Sequence, residues 1–155
     1  MQLRIVRRIP LGEVRHRVAD LEAKYGGNMD DIPDMFAEGQ IDREAFEDYV
    51  DWMGMEHALR AYSEGEDFDY FTEDILELSK DEISKLTPRR LELMDQISRH
   101  RVDSINELAT TINRDVKNVY NDLKTLESLG FVRLVKEGRR LVPDLLVKEI
   151  TFLTW

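Results

Sequence analysis

The chain has 155 residues and a mass of 18.2 kDa, with 42% hydrophobic and 35% charged residues, so it can fill one ordinary core or two small ones and is no disordered tail. It contains no cysteine, which excludes disulfide scaffolds, thiolate zinc sites, cysteine nucleophiles and cysteine-ligated clusters, and which suits a reducing cytoplasm. The formal charge of −10 is uneven: residues 1–85 hold 10 Lys/Arg against 22 Asp/Glu and residues 86–155 hold 12 against 10, so an acidic module and a mildly basic one with different partners are expected.

Residues 2–9 set Leu3 and Ile5 against Arg4 before Val6, Arg7 and Arg8 blur the alternation, and they predict a short strand stopped by Pro10. This N-terminus lacks the apolar block of a signal peptide, and the apolar runs are too short to cross a bilayer, so neither secretion nor membrane insertion is expected. From Leu11, the positions Val14, Val18, Leu21 and Tyr25 recur at helical spacing up to Gly26-Gly27. Asp30 or Asp31 can cap a short helix holding Met35 and Phe36 and ending before Gly39. Asp42 can cap a longer one with the stripe Ala45, Phe46, Tyr49, Val50 and Met53, which reaches Tyr62 and Gly65 if Gly54 does not interrupt it. Residues 64–82 are acidic with interleaved aromatics and read as a linker, in which the capping box Ser79-Lys-Asp-Glu82 opens a helix.

The second half is more explicit. Thr87-Pro88 supplies a cap and a first-turn proline for a helix to about Arg99, with Leu91, Met94 and Ile97 inward. Ser104 and Glu107 form a second capping box before a short helix that buries Ile105, Leu108, Ala109 and Ile112. A tight turn at Asn113 leads to Asp115, the cap of a helix with Val116, Val119, Leu123 and Leu126 inward, which Gly130 ends. Phe131–Val135, a turn at Glu137-Gly138 and Arg139–Val142 then make a two-stranded hairpin. The apolar run 145–153 must either add a strand or bury itself against a partner chain.

The order helix, helix, helix, hairpin over about residues 86–143 resembles the core of MarR- and ArsR-type winged helix-turn-helix transcriptional regulators, notably compact archaeal ones. The resemblance rests on Leu108 to Leu123 and on the exit Leu126-Glu-Ser-Leu-Gly130-Phe131-Val132. It implies a sequence-specific regulator of double-stranded DNA, in the form of a homodimer that pairs two half-sites. With its apolar face inward, the helix from Asp115 exposes Lys117, Asn118, Asn121 and Lys124, amides and cations suited to base edges and phosphates. Arg114 is placed for a phosphate; Tyr120, at the border of the apolar face, is either half-buried or a DNA contact. On the hairpin, Lys136, Arg139 and Arg140 would reach along the duplex, opposed by Glu137 at the tip.

A second resemblance covers about residues 4–62. Ile5 to Val14, Leu21 to Gly26 and Glu44 to Trp52 are similar to small antitoxin-type proteins, which implies a strand-plus-helix dimerisation piece and an acidic tail for a basic, toxin-like protein partner. The alternative function is therefore an antitoxin or adaptor that regulates its own DNA. No enzyme is expected: His16, His57 and His100 are scattered, and no zinc-protease helix, phosphate-binding glycine loop or nucleophile elbow occurs. Nor is any metal or cofactor expected, since Glu56-His57 is more simply structural and Asp67-Phe-Asp69 lacks the calcium-loop glycine and glutamate. The expected fold is mainly α with small β, an N-terminal strand plus helices and then a winged helix-turn-helix. Residues 1–78 are expected to form a dimerisation or partner-binding domain with its acidic linker, and 79–155 the DNA-binding domain, in a cytoplasmic protein.

Overall fold

The computed structural model describes residues 1–31, 39, 42–66 and 68–154; the short helix expected around Met35 and Phe36 lies outside them. Two compact units emerge, Met1–Arg8 with Thr72–Trp155 and, separately, Ile9–Phe71. The first holds 17 Lys/Arg against 15 Asp/Glu, a net +2, and the second 5 against 17, a net −12. The charge asymmetry thus survives, while the division into units differs from the expected domain boundary at 78/79: the first strand belongs with the C-terminal half.

In the unit Ile9–Phe71, helices α1 (Leu11–Tyr25) and α2 (Arg43–Ser63) pack around Trp52 together with Ile9, Val14, Val18 and Met55. Asp42 caps α2, accepting from the Ala45 N–H at 2.8 Å. The helix runs unbroken through Gly54, where the missing side chain leaves room for Tyr70; a Cβ there would lie 3.1 Å from the ring. The buried face is Trp52, Met55, Ala58 and Ala61, not the expected stripe, since Phe46, Val50 and Met53 are 52%, 44% and 47% exposed. Both sets recur at helical spacing, and the large Trp52 ring, stacked 6.1 Å from Tyr25, decides which one turns inward. Lys24 ties the helices by donating to Glu44 at 2.8 Å and Asp48 at 2.7 Å, while Tyr25 Oη donates to Asp48 at 2.6 Å. Burial pushes the Asp48 carboxyl up, but the bonds from Lys24 and Tyr25 outweigh it and hold it below the usual carboxylate range.

In the other unit, β1 (Gln2–Ile9) is the central strand of a sheet ordered β2-β1-β5, with β2 spanning Tyr70–Glu77 and β5 Val147–Leu153. β5 is antiparallel to β1, from Gln2↔Leu153 to Val6↔Glu149, so the apolar run 145–153 joins the protein's own sheet. β2 replaces the linker expected there. Its carboxylates meet the cations of β1: Glu73 is 3.1 Å from Arg4, Asp74 3.9 Å from Arg7, and Glu77 3.0 Å from the terminal ammonium. Acidic residues are weak strand formers alone, and opposite charge on the neighbouring strand offsets that.

Helix α3 (Lys80–Ser84) carries both bonds of the Ser79–Glu82 capping box. Helices α4 (Pro88–Arg99), α5 (Ile105–Thr111) and α6 (Val116–Ser128) follow, then β3 (Val132–Glu137) and β4 (Arg140–Leu145). The pairing Glu137↔Arg140 leaves Gly138-Arg139 as the turn, one residue later than expected, with Gly138 at a φ of 63°. α4 buries Leu93, Met94 and Ile97, whereas Leu91 is exposed. These elements make a winged helix-turn-helix within a mainly α chain with small sheets. Leu93, Leu108, Val119, Leu123, Leu126 and Phe131 share one core with Leu3 and Ile5, so the N-terminal strand closes the core of the C-terminal half.

Candidate nucleic-acid interface

The helix-turn-helix is set by local bonds. Ser104 accepts from the Glu107 N–H at 3.0 Å, without the reciprocal bond that a full capping box would add. Asn113 takes the left-handed turn position at a φ of 54°, a conformation asparagine tolerates, and Asp115 caps α6 through the Lys117 N–H at 3.1 Å. Because Val119, Leu123 and Leu126 are fully buried, the opposite side of α6 is exposed, with Lys117, Asn118, Tyr120, Asn121 and Lys124 on it.

All of these but Lys124 line one or other of two concavities. One, of about 460 Å³, lies between α6, the start of α5 and the hairpin, and is lined by Val116, Lys117, Tyr120, Arg139, Arg140 and Asn106 among others. The second, of about 550 Å³, lies between α6 and the start of α4, where Asn118 and Asn121 meet Arg89, Arg114 and Asp122. Lys117, Arg139 and Arg140 make no ion pair among the described residues. Lys136 is exposed on β3, opposite Leu141.

Two expected cations are committed elsewhere. Arg114 donates to Asp122 Oδ2 at 2.6 Å with its side chain only 20% exposed. Arg90 Nε donates to the other oxygen of Asp122 at 3.1 Å and Arg90 Nη1 to the Lys85 carbonyl at 2.9 Å, so this carboxylate fastens α6 to α4. Lys124 donates to Glu127 at 2.9 Å, a bond that pushes its ammonium up from its ordinary value. Glu127 also accepts from the Leu134 N–H at 2.8 Å, tying the wing to the helix. Burial raises the Glu127 carboxyl, but the bonds from Lys124 and Leu134 and the charge of Lys124 outweigh it and hold it low. At the base of the wing, Asp144 accepts from Arg133 at 2.9 Å and from Arg8 of β1 at 2.5 Å.

Sequence reasoning gave no role to Asp122 or Glu127 and placed Val116, which is 41% exposed, on the inward face. The Lys124–Glu127 spacing was a usable local signal; the Arg90–Asp122 pairing, 32 residues apart, offered none. Among the described residues, no group of three or more His, Asp or Glu could hold a metal, and no helix is long and apolar enough to cross a membrane.

The family comparison places a likeness in this half of the chain. A family model described as HVO_A0114 matches residues 85–152. The uncharacterised HTH-type transcriptional regulator FruR of Bacillus subtilis strain 168 is 41% identical over 71 residues, covering 41% of this chain and 28% of that protein. The chain therefore spans under a third of the length of this curated relative. Among solved structures, the homodimeric winged helix-turn-helix DNA-binding domain of Mb0332 from Mycobacterium bovis is similar at 20% identity and a TM-score of 0.37, over 45% of this chain and 74% of that one.

Proposed function

We propose that the protein is a sequence-specific, DNA-binding transcriptional regulator that works as a homodimer on two half-sites. The observation that carries this reading is α6, whose exposed amides and Lys117 line two open concavities, with Lys117, Arg139 and Arg140 unpaired among the described residues on the wing side. Amides can pair with adenine edges and cations with guanine edges or phosphates, and a helix of this kind enters the major groove while the wing follows the backbone. The relative named as a transcriptional regulator supports the same class. The unit Ile9–Phe71, at a net −12, adds no favourable field at DNA and serves assembly or a protein partner.

Titration on an enriched duplex and on random DNA, at two salt concentrations, tests the reading. Asn118→Ala or Asn121→Ala is expected to cost about 1–3 kcal/mol on the enriched site and little on random DNA. Equal losses on both would remove the amides as base readers. Lys117→Ala should weaken all sequences and shallow the salt slope by about one.

A further inference from the structure

Val116 was expected in the core with Val119, Leu123 and Leu126, yet it is 41% exposed, and Tyr120, one turn further on, is 38% exposed. Positions 116 and 120 share a face of the helix, so the valine methyls and the tyrosine ring form one apolar strip on the outward side of α6. Val116 lines the concavity beside the wing and also the one between α5 and α6, walled by Asn106, Thr110 and Asn113; with Asn106, which lines both as well, it forms the ridge between them. Single exposed apolar side chains are ordinary on a protein surface. This one is set among cations: Lys117 adjoins it on the same helix, and Arg139 and Arg140 face it from the wing, without ion pairs among the described residues.

An apolar ridge with cations along its wing side and neutral polar groups along the other complements a duplex, with phosphates meeting the cations and a base edge meeting the ridge. In the major groove, the apolar group a base edge presents is the thymine 5-methyl. We propose, resting on the DNA-binding reading above, that Val116 selects a thymine in each half-site by packing its methyls on that 5-methyl group, with Tyr120 closing one side of the contact. This selection works by shape, and it is separate from the hydrogen-bond reading by Asn118 and Asn121, which open onto the other concavity.

The test uses the full chain and a random-sequence duplex pool from which bound sequences are enriched. Thymidines of the enriched duplex are then replaced one at a time by deoxyuridine, which keeps the base pairing and removes only the methyl. Loss of one methyl is expected to weaken binding about fourfold at one position per half-site. Val116→Ala, at an exposed first helical position where alanine is favoured, is expected to keep its unfolding curve and to bind the thymine and uracil duplexes alike at that position. Lys117→Ala should weaken both duplexes and leave their ratio intact. A duplex with no uracil-sensitive position, or a sensitive position whose ratio survives Val116→Ala, overturns the proposal and leaves the DNA-binding reading standing. Failure of the pool to enrich overturns both.

Discussion

Asp122 accepts from Arg90 and Arg114 at once, at 3.1 and 2.6 Å, with all three side chains at least three-quarters removed from solvent. The two guanidinium groups grip the carboxylate on the flank of α6, and the carboxylate in turn fixes where that helix sits on α4. Asp122→Ala leaves both arginines without their partner and is expected to destabilise the protein by about 1–3 kcal/mol in urea unfolding. Because the pair acts as a unit, Arg114→Ala should cost less in the Asp122→Ala background than in the wild type. Additive losses would show that the arginine is held by something else. At Arg114, whose position before the helix suits a phosphate contact, the charge is also answered by a residue eight positions on. A sequence shows that a cation is present and does not show that it is taken.

At the scale of elements, the wing depends on Glu127, which holds Leu134 of β3 at 2.8 Å and Lys124 of α6 at 2.9 Å. The Glu127 carboxyl is held below its ordinary value in the folded protein, so its contribution to stability is present at neutral pH and is lost as pH falls through the carboxylate range. Protection of the Leu134 amide from hydrogen exchange is therefore expected to drop as pH falls below the ordinary glutamate range, and Glu127→Gln should remove that step. A step that persists in the variant would move the effect to another carboxylate. Replacing Arg139 and Arg140 together by Ala should lower DNA affinity while shifting stability by no more than about 0.5 kcal/mol, since exposed charges contribute little to folding. Unchanged affinity would make the hairpin structural only. The elements with caps and turn residues were legible: α1 with its glycine stop, α4 behind Thr87-Pro88, α6 behind Asp115, and the hairpin to within one residue. Helix faces were less so, because Val116 and Leu91 continue an apolar period past the place where the core ends. β2 was read as linker because its partner, the arginine-bearing β1, is distant in sequence and supplies the charges that make an acidic strand tolerable.

At the scale of the whole molecule, the chain leaves the winged-helix unit after Arg8 and returns to it at Thr72, on neighbouring strands of one sheet. The other ends of these strands are fastened together: the Leu78 N–H donates to Met1 O at 3.0 Å and the Met1 ammonium to Leu78 O at 3.1 Å. The acidic unit is thus an insertion into the winged-helix unit, and cutting at residue 78 would remove Leu3 and Ile5 from the shared core. Fragment 79–155 is therefore expected to lose cooperative unfolding, since two fully buried side chains and the central strand go together and each large core side chain is worth about 2–5 kcal/mol. A chain in which a short Gly/Ser linker joins Arg8 to Thr72 keeps those contacts and should still unfold in one transition. That shortened chain separates the two uses of the acidic unit. If Ile9–Phe71 supplies the dimer contact, sedimentation will show a monomer whose affinity for a paired site has fallen about 10²- to 10⁴-fold, with the salt slope roughly halved. If the contact lies in the winged-helix unit instead, the shortened chain stays dimeric and binds at least as tightly, because a charge of −12 has been removed from the molecule that meets the phosphates. The second outcome would refute assembly through the acidic unit and leave that unit for a protein partner.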